Sequence, residues 1–136
     1  MTPEASIALV EYFWEEVWAA CNPAAIDRFV TEDFIITSAG VNVSGAEDFK
    51  NWVGSFQSRI ADLRWETIET FSNPDGSRVA SRFRITGRNN GMFGLPADGK
   101  PIAFTGNAIL AVTPTGKLSR NWVERSAWEL YNQLKD

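Results

Sequence analysis

Apolar side chains in the first 22 residues recur at intervals of three and four, which is the period of an amphipathic helix. The stripe comprises Ile7, Val10, Trp14, Val17, Trp18 and Cys21. Asn22 precedes Pro23, and a residue before proline avoids helical backbone angles, so the helix is predicted to span Thr2 to Asn22. A short second helix is expected to run roughly from Ala24 to Val30.

The next apolar run, Phe34 to Thr37, is short and continuous, which predicts a buried strand. The sequence from Ser44 to Glu47 then has a capping-box pattern, which is typical of a helix start. Helical spacing continues through five apolar residues, Phe49, Trp52, Val53, Phe56 and Ile60. The pattern therefore predicts another helix after Ser44.

From Ala61 onward the hydrophobic period changes to two, which indicates strands. Four strands are predicted over residues 63–71, 78–88, 102–112 and 118–126. Turn sequences at 73–76 and 113–116, and a loop rich in Gly, Asn and Pro at 87–101, separate them. Residues 128–134 are expected to form a closing helix. This order predicts an α+β fold in which helices cover one side of a curved sheet, and such a sheet can enclose a blind apolar pocket.

The composition narrows the chemistry that the chain can perform. It has 136 residues, 44% apolar and 22% charged, with no internal repeat or linker, so one domain over residues 1–136 is expected. There is no histidine and one cysteine. This excludes disulfides within the chain, zinc sites with His or Cys ligands and His-based catalytic triads. Carboxylates, Tyr, Lys, Ser and one thiol remain for proton chemistry.

The net charge and the single cysteine indicate which binding partners and which cellular compartment are expected. A net charge of −4 offers no general attraction to nucleic acid or to an anionic membrane. The first residues lack a basic segment, and glutamates interrupt their apolar stretch, so neither a signal peptide nor a membrane span is predicted. The unpaired Cys21 favours a reducing cytoplasm.

Short motifs follow one another in a fixed order through the second half of the chain. They are Arg82-Phe83, Gly87-Arg-Asn89-Asn-Gly91, Phe-Gly94-Leu-Pro96, Gly99-Lys-Pro101, Phe104-Thr-Gly106 and Gly116-Lys-Leu with Asn121-Trp122. This order resembles the SnoaL-like polyketide cyclases of the nuclear transport factor 2-like superfamily, whose pattern includes R-W, G-T-H/N-T-G, F-x-G-I-P-P-T-G-R-P, F-T-G and G-K-I-x-E-H-W. The resemblance continues to a tail at Gln133-Leu134 that is similar to the family's L-x-x-Q-L.

The resemblance implies a cone-shaped single domain, with a curved antiparallel or mixed sheet wrapped on N-terminal helices and a deep cavity. It also implies a homodimer packed through its sheets, with no metal and no cofactor. The implied activity is acid/base chemistry on an apolar polycyclic or aromatic molecule: aldol cyclisation, isomerisation or dehydration. A fold alone does not fix a function, so the activity has to be inferred from the residues of the site.

The chain departs from the family where acid/base groups are expected. Ser126 stands at the position that resembles the Asp of the cyclases' H-W-x-x-x-D. Asn89 stands at the glycine-loop His, and Ser38 at the position that resembles the ketosteroid isomerase base. Trp14 aligns approximately with the helix-one Tyr of those isomerases. None of the inherited acid/base groups is retained.

Glu124 is the remaining candidate for the catalytic acid/base. It lies two residues after Trp122, so both side chains leave the same face of one strand. If Trp122 lines the cavity, Glu124 does too, and a carboxyl group in an aromatic pocket gains a raised pKa that suits proton transfer. The alternatives are an ion pair with Arg120 or exposure to solvent.

Seven further residues are predicted to bind substrate. The polar members, expected to orient a carbonyl or enolate oxygen, are Ser38, Asn89, Asn107 and Ser126, and the aromatic walls are Trp14, Trp18 and Trp122. Turn formation is the alternative for Asn89 and Ser38, because both lie in turn-forming sequence. Core packing is the alternative for Trp14 and Trp18.

Four arginines, Arg78, Arg82, Arg84 and Arg88, share one face of a predicted strand. A solvated or dimer-facing surface, paired across strands with acidic residues such as Glu66, is expected there, and an anion-binding row is the alternative.

Cys21 is expected to be a small buried hydrophobe. The predicted partners are an apolar small molecule and a second copy of the chain, with neither nucleic acid nor membrane. A non-catalytic ligand-binding or assembly domain is the rival function, because the family Asp and His are missing.

Overall fold

The computed structural model describes residues 1–135, and Asp136, the last residue of the predicted domain, lies outside the described residues. The helices and strands are α1 Pro3–Phe13, β1 Val30–Ser38, β2 Val41–Ser44, α2 Ala46–Ser58, β3 Ile60–Ser72, β4 Arg78–Asn89, β5 Pro101–Val112, β6 Leu118–Arg125 and α3 Ala127–Leu134. A π-helix covers Trp14–Ala19, and 3₁₀ turns cover Pro23–Arg28 and Met92–Gly94.

The six strands form one sheet in the order β2-β1-β6-β5-β4-β3. Strands β3 to β6 are antiparallel neighbours, which confirms the predicted meander. Strand β1 pairs in parallel with β6, and β2 returns along β1 as a hairpin. The chain is therefore an α+β domain with a mixed sheet, and the N-terminal helices cover one of its faces.

The first helix is not α-helical throughout. Beyond Phe13 it widens into a π-helix, in which the Ala20 N–H reaches the Glu15 carbonyl and the Asn22 N–H reaches the Val17 carbonyl, each at 3.0 Å. Because the hydrogen bonds of a π-helix join residues five apart, its turn is wider than that of an α-helix. The predicted apolar stripe is therefore altered at the end of this helix. Cys21 adopts a positive φ of 50° and is exposed, so its expected burial is wrong.

Two local predictions around residues 38–60 are also corrected. Ser44 makes no capping hydrogen bond to α2, whose N-cap is Gly45. The capping-box pattern instead marks the end of the β1–β2 hairpin, which the sequence pattern did not reveal. Ile60, assigned by its spacing to the helix, is the first residue of β3.

The inner face of the sheet packs against the helices through large aromatic and aliphatic side chains. Fully buried examples are Phe13, Phe34, Phe49, Phe83, Ile85 and Leu110. Trp65 stacks between Phe83, at a centroid distance of 4.3 Å, and Trp14, at 4.7 Å. Among residues 1–135, no helix has the length and apolar content needed to cross a lipid bilayer.

The outer face of β4 carries the predicted arginine row. Arg82 pairs with Glu69, and Arg88 pairs with Asp62 across to β3. Arg84 lies opposite Glu66 in the strand register. All four arginines are exposed, as expected for a solvated surface. Ion pairs between exposed charges contribute at most about 1 kcal/mol each to the free energy of unfolding. These pairs therefore help to align β3 with β4 more than they stabilise the fold.

Gly106 is required by the aromatic core. A Cβ built on Gly106 would overlap the ring of Phe83, which is held from its other side by Trp65. Gly54 is different, because a Cβ there would meet only the Pro23 side chain at an ordinary distance of 3.7 Å.

We predict opposite effects on stability for two Gly→Ala substitutions. Gly106→Ala should lower the free energy of unfolding by about 1–3 kcal/mol, because the core is overpacked. Gly54→Ala, in the middle of α2, should raise it by about 0.5–1 kcal/mol through helix propensity. Urea unfolding followed by tryptophan fluorescence measures both. A neutral Gly106→Ala would contradict the packing described for Phe83.

Candidate functional site

The best-defined pocket lies on the inner side of the sheet, where β1 and β6 end. It has a volume of about 190 Å³ and lies between α2, β5, β6, α3 and the 3₁₀ turn at residues 92–94. Its apolar lining comprises Trp52, Phe56, Met92, Phe93, Phe104 and Leu130. Its polar lining comprises Ser38, Glu124 and Arg125. An apolar concavity with a few polar groups is the usual form of a small-molecule site.

The pocket does not lie beside Trp14 and Trp18, the walls predicted from the sequence. Both indoles are almost fully buried in the core. Trp14 stacks on Trp65 and donates its Nε1–H to the Ser81 hydroxyl at 2.9 Å, and Trp18 packs on Trp65 and Phe56. Core packing, the alternative interpretation, therefore accounts for both residues.

An irregularity in the pairing of β5 with β6 decides which side chains of β6 face inward. Val112 pairs with Leu118 but Ala111 pairs with Arg120, so β6 carries one extra residue at this point. A bulge of this kind reverses the alternation of faces beyond it. Leu118 is buried, but further along the strand Asn121 and Val123 are the buried residues.

This reversal places Trp122 on the outer face and away from the pocket, which corrects its predicted position. Glu124 shares that face but still borders the pocket. Trp122 is 37% exposed, and the guanidinium groups of Arg120 and Arg78 lie over its ring at 4.9 and 5.7 Å. Glu124 is exposed and contributes to the pocket only at its rim. Asn107 lies opposite Glu124 in the register and is also exposed, so it is outside the pocket.

Arg125 is the charged residue that the reversal turns inward. Its Nη1 donates to the Ser38 hydroxyl at 2.7 Å, and its guanidinium carbon lies 5.3 Å from the Trp52 ring centroid and 4.9 Å from that of Phe56. Burial lowers the pKa of Arg125 to about 10, and the negative charge of Glu124 acts in the opposite direction. Ser38 therefore lies in the pocket, as predicted, with its hydroxyl engaged by this cation.

Asn89 lies outside the pocket and holds the loop that forms one of its walls. Its Oδ1 accepts from the backbone N–H groups of Gly91 and Met92, at 3.1 and 2.9 Å. Its Nδ2 donates to the Pro96 carbonyl and to Asp98, both at 3.0 Å. Asn89 is buried and makes all of these bonds, so it positions the Met92 turn and is not among the residues that line the pocket.

Ser126 also has a structural role, at the start of α3. Its Oγ accepts from the Thr105 N–H at 3.1 Å, and its own N–H donates to the Thr105 carbonyl at 2.9 Å. These bonds extend the β5–β6 pairing by one residue. Ser126 is not among the residues that line the pocket.

The sequence interpretation missed Arg125 and most of the pocket wall. A signal for Arg125 was present in the last strand, because aliphatic Val123 has to be buried and Arg125 shares its face. The sequence interpretation instead began at Trp122, which belongs to the family motif, and selected Glu124 two residues further on the same face. Trp52 and Phe56 were correctly placed on a helix, but the helical pattern could not show that their exposed edges border a cavity.

The chemistry available in the pocket follows from these groups. It offers a hydroxyl, one desolvated cation, and one carboxylate at the rim, against apolar walls. No group of three or more His, Cys, Asp or Glu side chains among residues 1–135 is arranged to hold a metal ion. The arrangement is suited to holding a flat apolar molecule and stabilising negative charge on one of its oxygens.

Comparison with protein families gives one match that spans almost the whole chain. The model of the SnoaL-like polyketide cyclases matches residues 8–134. No curated protein matches the chain.

Several solved structures share the fold. A proposed SnoaL-like polyketide cyclase from Jannaschia sp. CCS1 has a TM-score of 0.89 at 14% identity, covering 98% of this chain and 93% of the other. An epoxide hydrolase from M. tuberculosis of the LEH-like type has a TM-score of 0.74 at 12% identity, covering 98% and 91%. A protein with a ketosteroid isomerase-like fold from Catenulispora acidiphila, solved with trimethylamine, has a TM-score of 0.75 at 18% identity, covering 99% and 95%.

The buried charge of Arg125 leads to a prediction about stability. Its pKa of about 10 lies below the usual range of an arginine, so the unfolded chain holds this proton more tightly and the charge destabilises the fold at neutral pH. Arg125→Met should therefore raise the free energy of unfolding by about 1–2 kcal/mol. Urea unfolding at pH 7 measures the change.

Two variants serve as controls, one for the loss of an arginine side chain and one for the loss of its hydrogen bond. Arg84→Met removes an exposed arginine that forms no ion pair among the described residues, so it should change stability by less than about 0.5 kcal/mol. Ser38→Ala removes the acceptor of Arg125 and should cost about 1 kcal/mol. A large loss of stability in Arg125→Met would mean that the guanidinium is mainly a structural support.

Proposed function

Because the chain belongs to the SnoaL-like polyketide cyclase family, we propose that it is a small-molecule enzyme whose site is the pocket between α2, β5, β6 and α3. The proposed substrate is a small cyclic, largely apolar carbonyl compound. The proposed reaction is proton transfer without a cofactor, of the kind used in aldol cyclisation, isomerisation or dehydration.

The observation that carries this proposal is the combination of aromatic walls and a few polar groups in one concavity. Trp52, Phe56 and Phe104 supply flat apolar surfaces, and Ser38 and Arg125 supply hydrogen-bond donors beside them. Such donors orient one oxygen of a ligand whose remaining surface is buried against rings.

The size of the pocket favours a ligand of one or two rings. An apolar cavity of about 150 Å³ holds benzene. The 190 Å³ here is somewhat larger, and the pocket opens to solvent at the rim formed by Glu124 and Ala127. A polycyclic substrate, as expected from the family resemblance, would place its remaining rings outside the pocket.

Glu124 is the proposed proton acceptor, acting from the rim. Each proposed reaction needs a base that removes a proton next to a carbonyl and a donor that stabilises the resulting oxyanion. Glu124 is the one carboxylate that borders the pocket in the described part of the chain. Ser38 and the adjacent guanidinium would hold the oxygen.

A specific observation also supports a second candidate function, a ligand-binding domain without catalysis. The Glu124 side chain shares the outer face of β6 with Trp122, and Ser126 is committed to Thr105. A carboxylate on that face has to reach over the rim to contact a ligand. The two candidates share the pocket and differ only in whether proton transfer occurs.

A neutral bicyclic ketone, 1-tetralone, tests both candidates. We expect the protein to bind it and to accelerate exchange of its α-protons with D₂O, followed by ¹H NMR. Ala127→Trp should abolish both effects, because Ala127 lies at the rim and a bulky ring there would block entry. Ala5→Trp, a matched change on exposed α1, should alter neither.

The variant Glu124→Gln separates binding from chemistry. It should leave binding intact and reduce the catalysed exchange rate about 10²–10⁴-fold, the usual contribution of one acid/base. Binding without accelerated exchange in the wild-type protein would establish the non-catalytic function. Full exchange activity in Glu124→Gln would exclude Glu124 as the base.

We also propose that the protein is a homodimer through the outer face of the sheet. Four apolar residues lie in register across adjacent strands, Phe71, Ala80, Ile109 and Trp122. Phe71 and Ile109 are about half exposed, at 55% and 49%. Exposed large apolar side chains in a continuous row are typical of an interface.

The charges that flank this row are complementary under twofold symmetry. Arg78 and Arg120 lie on one side of it, and the other side carries Glu124 together with the Arg82–Glu69 ion pair, so its charge balance is negative. A twofold axis along the row would bring the arginine side of one copy against the glutamate side of the other. Such self-complementarity is what a symmetric dimer requires.

Mass measurement checks the dimer. Sedimentation equilibrium at about 10 μM is expected to give twice the chain mass of 15.2 kDa. Ile109→Glu should yield monomers, because it buries an unpaired charge at the centre of the row. Tyr12→Glu, which alters an exposed aromatic residue on α1, should remain dimeric. A wild-type monomer at this concentration would refute the proposal.

A further inference from the structure

The guanidinium of Arg125 has far fewer partners than its donors allow. It carries five N–H groups in a planar fork. Among residues 1–135 one hydrogen bond is made, from Nη1 to the Ser38 hydroxyl, and Arg125 takes part in none of the ion pairs. Its Nε is buried and donates to no described residue.

The position of the fork is fixed by its surroundings. The rings of Trp52 and Phe56 contact the guanidinium, and Ser38 holds the Nη1 corner. These contacts leave the edge formed by Nε and Nη2 without a partner in the described part of the chain. A charged group in this state costs free energy in the ligand-free protein, and an anion that binds to the edge would offset the cost.

We propose that Arg125 makes this pocket a receptor for a cyclic molecule bearing a carboxylate, held by the unpartnered N–H groups of the guanidinium with its ring against Trp52 and Phe56. The inference rests on the proposed function only in using the same pocket, and it adds the substrate class. No acid/base role for Glu124 is needed for it.

The geometry favours a carboxylate over other oxygen ligands. Two parallel N–H groups on one edge of a guanidinium match the two oxygens of a carboxylate. The Glu124 carboxylate, adjacent in the chain and at the rim, would disfavour a doubly charged group such as a phosphate monoester. The apolar lining requires that the rest of the ligand be a hydrocarbon ring of modest size.

The test uses two probes of the same shape, 2-naphthoate and the neutral 2-naphthamide. Calorimetric titration of the full chain at pH 7 should show that naphthoate binds at least tenfold more tightly than naphthamide. Arg125→Gln should weaken naphthoate binding at least tenfold. It should weaken naphthamide binding by a clearly smaller factor, because the amide carbonyl accepts from the guanidinium but carries no charge. Arg125→Lys, which retains the charge without the fork, should recover only part of the naphthoate affinity.

A matched control keeps these outcomes interpretable. Arg84→Gln, an exposed arginine on β4 outside the pocket, should bind both probes as the wild-type protein does. Thermal unfolding verifies that each variant is folded. Equal affinities for the two probes, unchanged naphthoate binding in Arg125→Gln, or no naphthoate binding below about 1 mM would overturn the proposal.

The outcome of the tetralone experiment is independent of the outcome of the naphthoate experiment. Loss of the naphthoate preference with intact exchange of tetralone protons would reject the carboxylate anchor and leave the enzyme in place. A clear naphthoate preference without proton exchange would retain the anchor and reject the proposed chemistry.

Discussion

The one extra residue in β6 opposite the end of β5 determines how this domain presents its chemistry. Because side chains alternate along a strand, a single insertion exchanges the two faces for every residue that follows. Beyond the irregularity between Ala111 and Val112, Val123 and Arg125 face inward, while Trp122 and Glu124 face outward. The pocket therefore receives the cation of Arg125, with the Glu124 carboxylate at its rim, and the outer face receives an exposed indole.

A second constraint divides the inner face of the sheet into a filled end and an open end. Trp14, Trp65 and Phe83 stack against one another, and Gly106 leaves the space that the Phe83 ring occupies. This stack packs the inner face of the sheet against α1 and the π-helix. At the other end β1 and β6 stop, and the loop held by Asn89 closes over the gap only partly.

Strand β6 therefore contributes to two surfaces of the protein, the outer face of the sheet and the pocket. Outward residues of this strand contribute to the apolar row and its flanking charges, and inward residues reach the pocket at the point where the strand ends. Burial lowers the pKa of Arg125 to about 10, so its charge carries a desolvation cost in the folded state. Glu124 lies at the junction of the two faces.

The hydrophobic pattern by itself predicted the helices and the meander, because periods of 3.6 and 2 are local properties. The order of short motifs predicted the family, because a motif is read from the sequence without any contacts. The helical pattern also placed Trp52 and Phe56 on α2. Only the tertiary structure decided the π-helical turn that exposes Cys21, the parallel pairing of β1 with β6, and the inward position of Arg125. The parallel pairing and the position of Arg125 depend on contacts between distant strands: a bulge changes no residue's intrinsic preference, yet it reverses which face of a strand the core receives.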